Sequence, residues 1–131
     1  MAAADAPSTA PADLRARLAT LPGIDAAVGL RMLRDRAERY AELLRQLADS
    51  NADDVVSLRA CLSSGDTAQA RRLTHTIKGA TSTLGAVHLQ ARAAELEAAL
   101  RAGRPDTELA TLMDALEAAQ VELAAAVRTL R

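Results

Sequence analysis

Between Asp35 and Leu62 the apolar positions Tyr40, Leu44, Leu47, Val55, Leu58 and Leu62 recur at helical spacing. The polar run DSNADD, Asp49 to Asp54, interrupts them. The pattern therefore allows one helix about 42 Å long, at about 1.5 Å per residue, or two helices broken near Asn51. In the next stretch, SSGDTAQ, Gly65 suits the left-handed residue after a helix, and Asp66 with Gln69 has the spacing of a capping box. A helix from Thr67 to Leu84 follows, with Leu73, Ile77, Ala80 and Leu84 as its apolar stripe and Gly85 as its stop. Leu89, Ala93, Leu96 and Leu100 mark the next helix, which ends at Gly103. From about Asp106, Leu109, Leu112, Leu116, Leu123, Val127 and Leu130 form one stripe, a bundle-facing pattern.

Four substantial helices joined by short loops predict an all-α fold, an antiparallel four-helix bundle spanning residues 23–131. Ahead of it, PADLRARLATLPG predicts a short helix stopped by Pro22 and Gly23, and Asp25 is placed to cap a second one reaching about Leu33. Residues 1–22 read as a flexible tail or linker, because the Ala/Pro/Ser/Thr-rich opening offers little to bury. Met32 and Tyr40 read as core. The charged run from Arg31 to Glu42 reads as a solvated helix face.

Composition sharpens this picture. Half the residues are apolar, yet Phe and Trp are absent and Tyr40 is the single aromatic, so the core must be aliphatic. Ala and Leu favour closely packed helices. A formal charge of −1 and the absence of stacking platforms argue against nucleic acid as a partner. No stretch is long enough in apolar residues to span a bilayer. The lone Cys61 forms no intramolecular disulfide and reads as a small buried residue. No Cys/His clustering suggests a metal site. A monomer is expected, because the stripes can satisfy one another.

Chemistry concentrates in the helix from Thr67 to Leu84. Relative to Leu73, His75 lies about 200° around the helix, on its outer face. Arg71, Arg72, Lys78, Gly79 and Ser82 fall within about 60° of it. Lys78 is the only lysine among sixteen basic residues, and no acid occurs between Asp66 and Glu95. Gly79 costs about 1 kcal/mol relative to Ala inside a helix. Its missing side chain would let another molecule approach the imidazole. A neutral imidazole can attack phosphorus, a flexible ammonium can follow the phosphoryl oxygens, and Ser82 can donate a hydrogen bond. Neighbouring carboxylates would repel the phosphoryl anion, so their absence from this helix fits a stored phosphoryl group. His88, at the start of the following helix, is expected to face solvent or cover the bundle end.

The stretch LTHTIKGATSTLGAVHLQARAAELE resembles the histidine phosphotransfer (HPt) domains of bacterial multistep phosphorelays. The match covers His75, Lys78 and Gly79 of a His-x-x-Lys-Gly core, Leu84-Gly85-Ala86 at the turn, and Leu96-Glu97 on the following helix. The resemblance implies that His75 takes a phosphoryl group from a receiver-domain aspartate and passes it to another, with Lys78 stabilising it and Gly79 allowing docking. Arg71, Arg72 and Ser82 are supporting contacts. No glycine-rich phosphate loop or acidic metal cluster accompanies His75, so autokinase activity is not expected. No cofactor is expected in the chain, and magnesium belongs to the partner receiver. The expected location is the cytoplasm, as a free-standing relay protein or as the C-terminal domain of a hybrid sensor kinase. A phosphoacceptor domain of the chemotaxis-kinase type and a purely structural helical adaptor are the alternatives.

Overall fold

The computed structural model describes residues 13–130, and every described element is a helix. Residues 13–19 form α1, followed by α2 (Ala26–Met32), α3 (Ala37–Ser64), α4 (Thr67–Thr83), α5 (Val87–Arg101) and α6 (Asp106–Arg128). Each of α3 to α6 packs on the next, and α6 returns to α3. With connections of only a few residues, neighbouring helices must run antiparallel. The predicted bundle is therefore present.

The long helix is continuous over 28 residues, which decides between the two readings of DSNADD. That run contains neither Gly nor Pro, and its residues keep the helical period. Asp49, Ser50, Ala52 and Asp53 face solvent, while Asn51 turns inward and is buried. Gln120 on α6 donates to the Ala48 carbonyl at 3.1 Å, and Arg59 binds Asp114 at 2.8 Å and also Glu117. These pairs set the register of α3 against α6.

Helix ends largely follow the punctuation. The Asp66 carboxylate accepts from the Gln69 amide at 3.1 Å, but the capping box is only half made, because the Gln69 side chain accepts from Arg72 instead. Asp25 stands at the start of α2 without a side-chain cap; its backbone amide donates to the Gly85 carbonyl at 2.7 Å. Gly85 has φ +71°, and a Cβ there would lie 2.3 Å from the Asp25 oxygen. Only glycine permits that approach.

The core is aliphatic around Tyr40, which is fully buried and donates to the Leu84 carbonyl at 2.5 Å. A Cβ on Gly29 would fall 2.1 Å from the tyrosine ring, so α2 packs its bare glycine against that ring. Met32, expected in the core, is 61% exposed. The seven-residue α2 presents only Ala26 and Gly29 fully inward, and Met32 lies past them. Cys61 is half-buried against the core.

The expected boundary at residue 22 does not mark where packing begins. Leu18 and Leu21 belong to the core, and Arg17 donates to the Thr129 carbonyl at 2.9 Å, so α1 closes over the end of α6. The remainder of the expected tail, residues 1–12, lies outside the described residues.

Candidate functional site

The inward face of α4 differs from the predicted stripe. Ala70, Thr74, Ile77 and Thr81 are buried, Leu73 and Leu84 are partly so, and Ala80 is exposed. Two threonines could not be read as core from polarity alone. Their hydroxyls turn back onto the helix, Thr74 to the Ala70 and Arg71 carbonyls and Thr81 to those of Ile77 and Lys78. With the hydroxyls satisfied, the rest of each side chain packs as an apolar group.

This rotation redirects the site. Measured from the true inward line, His75 lies about 130° around α4, leaning toward α5. Its side chain is 72% exposed, so the expected outer position holds. The lean brings it to Glu97 of α5, whose Oε2 lies 3.0 Å from His75 Nδ1. The Lys78 ammonium donates to Glu97 Oε1 at 2.6 Å, and Arg101 approaches Oε2 at 3.5 Å. The Glu97 side chain is only 6% exposed. The expectation that no carboxylate neighbours His75 is therefore corrected. None lies on α4, but the fold supplies one from the next helix.

A buried acid needs partners to stay ionised. The hydrogen bond from Lys78 pulls the Glu97 pKa down most strongly, burial opposes it, and His75 lowers it further. An ionised Glu97 accepts hydrogen bonds only, so a neutral His75 carries its proton on Nδ1. That tautomer leaves the lone pair on Nε2, which has no hydrogen-bond partner among the described residues.

Arg71 and Arg72 line an open cleft of about 500 Å³ beside His75, together with Glu97 and Arg101. Arg72 is held by Gln69 at 2.7 Å. Gly79 is exposed, and a Cβ on it would meet nothing within 4 Å. No contact among the described residues requires that glycine. Ser82 is exposed two turns beyond His75 and makes no side-chain hydrogen bond to these residues among those described. His88 is exposed, as expected, with Nδ1 2.8 Å from Glu122 above Gly23.

In the sequence Glu97 stands within a motif without a role of its own, and nothing singles out Arg101. One signal was present. Glu97 lies four residues after Ala93 and beside Leu96, a single acid on an otherwise inward stripe. Arg101, one turn later, carried no such signal.

The profile of the Hpt domain family matches residues 42–130. The match spans more than half the chain and includes the helices that build this site. The chain belongs to the Hpt domain family. Hpt domains are phosphocarriers of phosphorelays and interact with receiver domains. No curated protein and no solved structure matches the chain. No described helix is long and apolar enough to cross a membrane.

Proposed function

We propose that this chain relays a phosphoryl group between receiver-domain aspartates through Nε2 of His75. The observation that carries the reading is the Glu97 contact at Nδ1, with the opposite ring nitrogen left exposed. In the forward step the Nε2 lone pair forms the N–P bond. The aspartyl P–O bond breaks, and its electrons leave with the receiver's carboxylate. The ring gains positive charge, which the Glu97 carboxylate balances while it keeps the Nδ1 proton. In the second step another receiver's aspartate attacks phosphorus and the N–P electrons return to Nε2.

Lys78 begins bound to Glu97 and has a flexible stem, so its ammonium can bridge toward a phosphoryl group on His75. Gly79 provides clearance for the receiver, and Arg71 offers a positive rim. Arg72, tied to Gln69, and Ser82, remote from the bonded cluster, are docking contacts. Magnesium is the receiver's contribution. The chain is a carrier without autokinase activity, acting as a monomer in the cytoplasm, alone or as part of a hybrid kinase.

The test is transfer from a panel of aspartyl-phosphorylated receivers, with magnesium, to the wild type and to His75→Gln. Acid-labile, base-stable label on the wild type alone is the expected result. Equal label on His75→Gln would move the acceptor elsewhere. An unlabelled wild type across every competent receiver would leave a helical adaptor.

A further inference from the structure

Glu97 divides its two oxygens unequally. Oε1 serves Lys78 alone at 2.6 Å, whereas Oε2 serves both His75 at 3.0 Å and Arg101 at 3.5 Å. The Arg101 contact is the longest of the three, and its side chain is 61% exposed. Its guanidinium is the least committed cation of the cluster. Arg101 also lines the open cleft beside His75, with Arg71 on the facing helix. Lys78 lies three residues beyond His75 on α4, whereas Arg71 lies four residues before it. The two cationic groups therefore flank the imidazole along the helix axis.

A phosphoryl group on Nε2 carries about two negative charges and three acceptor oxygens. One ammonium cannot satisfy three oxygens in a fixed geometry, while a guanidinium presents a planar fork suited to two of them. Phosphorylation also makes the ring cationic, which strengthens its claim on Glu97 Oε2, the oxygen Arg101 shares. The change that adds negative charge beside Arg101 thus weakens the hold that keeps it on Glu97.

We propose that Arg101 is a second phosphoryl-binding cation of this site. It exchanges Glu97 for the phosphoryl oxygens when His75 is modified and clamps the group from the side opposite Lys78. The proposal rests on the phosphocarrier reading. His88 shows why such a cation is not generic. It too has Nδ1 on a carboxylate, but Arg92, one turn along α5, lies within ion-pair distance of Glu95 at 3.0 Å.

The test uses the full chain as wild type, Arg101→Gln, Arg101→Lys and, as a control three residues further along the chain, Arg104→Gln, whose arginine pairs with Glu108. Each is phosphorylated with phosphoramidate and by a phosphorylated receiver, and the phosphohistidine is titrated by phosphorus NMR. A nearby cation favours the dianionic phosphoryl form, so Arg101→Gln should titrate at higher pH than the wild type. Its labelling by phosphoramidate should be slower by about fivefold, with Arg101→Lys intermediate and Arg104→Gln unchanged. An Arg101→Gln titration superimposable on the wild type overturns the proposal while leaving the carrier reading intact. Equal shifts in Arg101→Gln and Arg104→Gln also overturn it, since they report overall charge and not a local contact. A wild type that neither donor labels at all overturns the carrier reading itself.

Discussion

Glu97 carries the electrostatics of the site. Its carboxyl is held below the usual range chiefly by Lys78, so the folded state binds its proton less readily than the unfolded chain. The stability this confers is fully present above the ordinary glutamate value and is lost as pH falls through the lowered one. Glu97→Gln should therefore flatten the acid limb of the stability profile. At neutral pH it should cost about 1 kcal/mol, because Lys78 is exposed enough to recover water. Urea unfolding between pH 3 and 7 measures both. A mutant profile as steep as the wild type's would place the acid sensitivity at another carboxylate.

At the scale of single helices, α4 trades stability for access. Gly79 is a helix-interior residue with open space around it, so Gly79→Ala should raise stability by about 1 kcal/mol. The same change should slow transfer from a phosphorylated receiver while labelling by phosphoramidate stays near the wild-type rate, since a small donor needs no close helix approach. Equal slowing with both donors would show that the glycine serves the imidazole directly. The turn before α3 carries a different strain. Arg34 and Asp35 have φ of 53° and 63°, left-handed values that disfavour residues with a Cβ. Arg34→Gly should stabilise the fold by about 1 kcal/mol, read as a higher thermal midpoint. An unchanged or lower midpoint would mean that the arginine side chain compensates for its backbone.

At the scale of the molecule, the α4–α5 turn is where distant segments meet. Tyr40 of α3 donates to the Leu84 carbonyl, and the Asp25 amide before α2 donates to the Gly85 carbonyl. The turn also fixes how α5 departs from α4, and with it the position of Glu97 against His75. Burial, aided by the Asp25 carboxylate, pushes the Tyr40 phenol up to about 12. The folded state then resists ionisation that the unfolded chain undergoes near 10, so stability falls as pH rises from about 10 to about 12. Tyr40→Phe should lose about 1 kcal/mol at neutral pH and remove most of that alkaline decline. Thermal unfolding at pH 7 and above pH 10 tests both. A decline that persists in the variant would assign it to a group other than the phenol.

Much of this was readable from order along the chain. The apolar periods marked the helices of the bundle, glycines marked their ends, and His75, Lys78 and Gly79 stood out because a lone lysine and a costly glycine flank a histidine on a polar face. These are local signals, set by helical geometry and backbone preference, and they survive without knowing any neighbour. What remained hidden depends on neighbours. Whether DSNADD breaks a helix turns on Asn51 finding a buried place in the groove between α3 and α4. Thr74 and Thr81 count as core only once their hydroxyls bond back to α4. Met32 is exposed because α2 ends too soon to bury it. Glu97 and Arg101 lie 22 and 26 residues from His75, on a helix whose rotation against α4 is set by side-chain packing and not by sequence spacing. By itself the sequence determined a helical bundle and the face that bears the histidine. Only the tertiary structure brought the carboxylate that orients the imidazole, because a charge pair between two helices exists only when both have been packed.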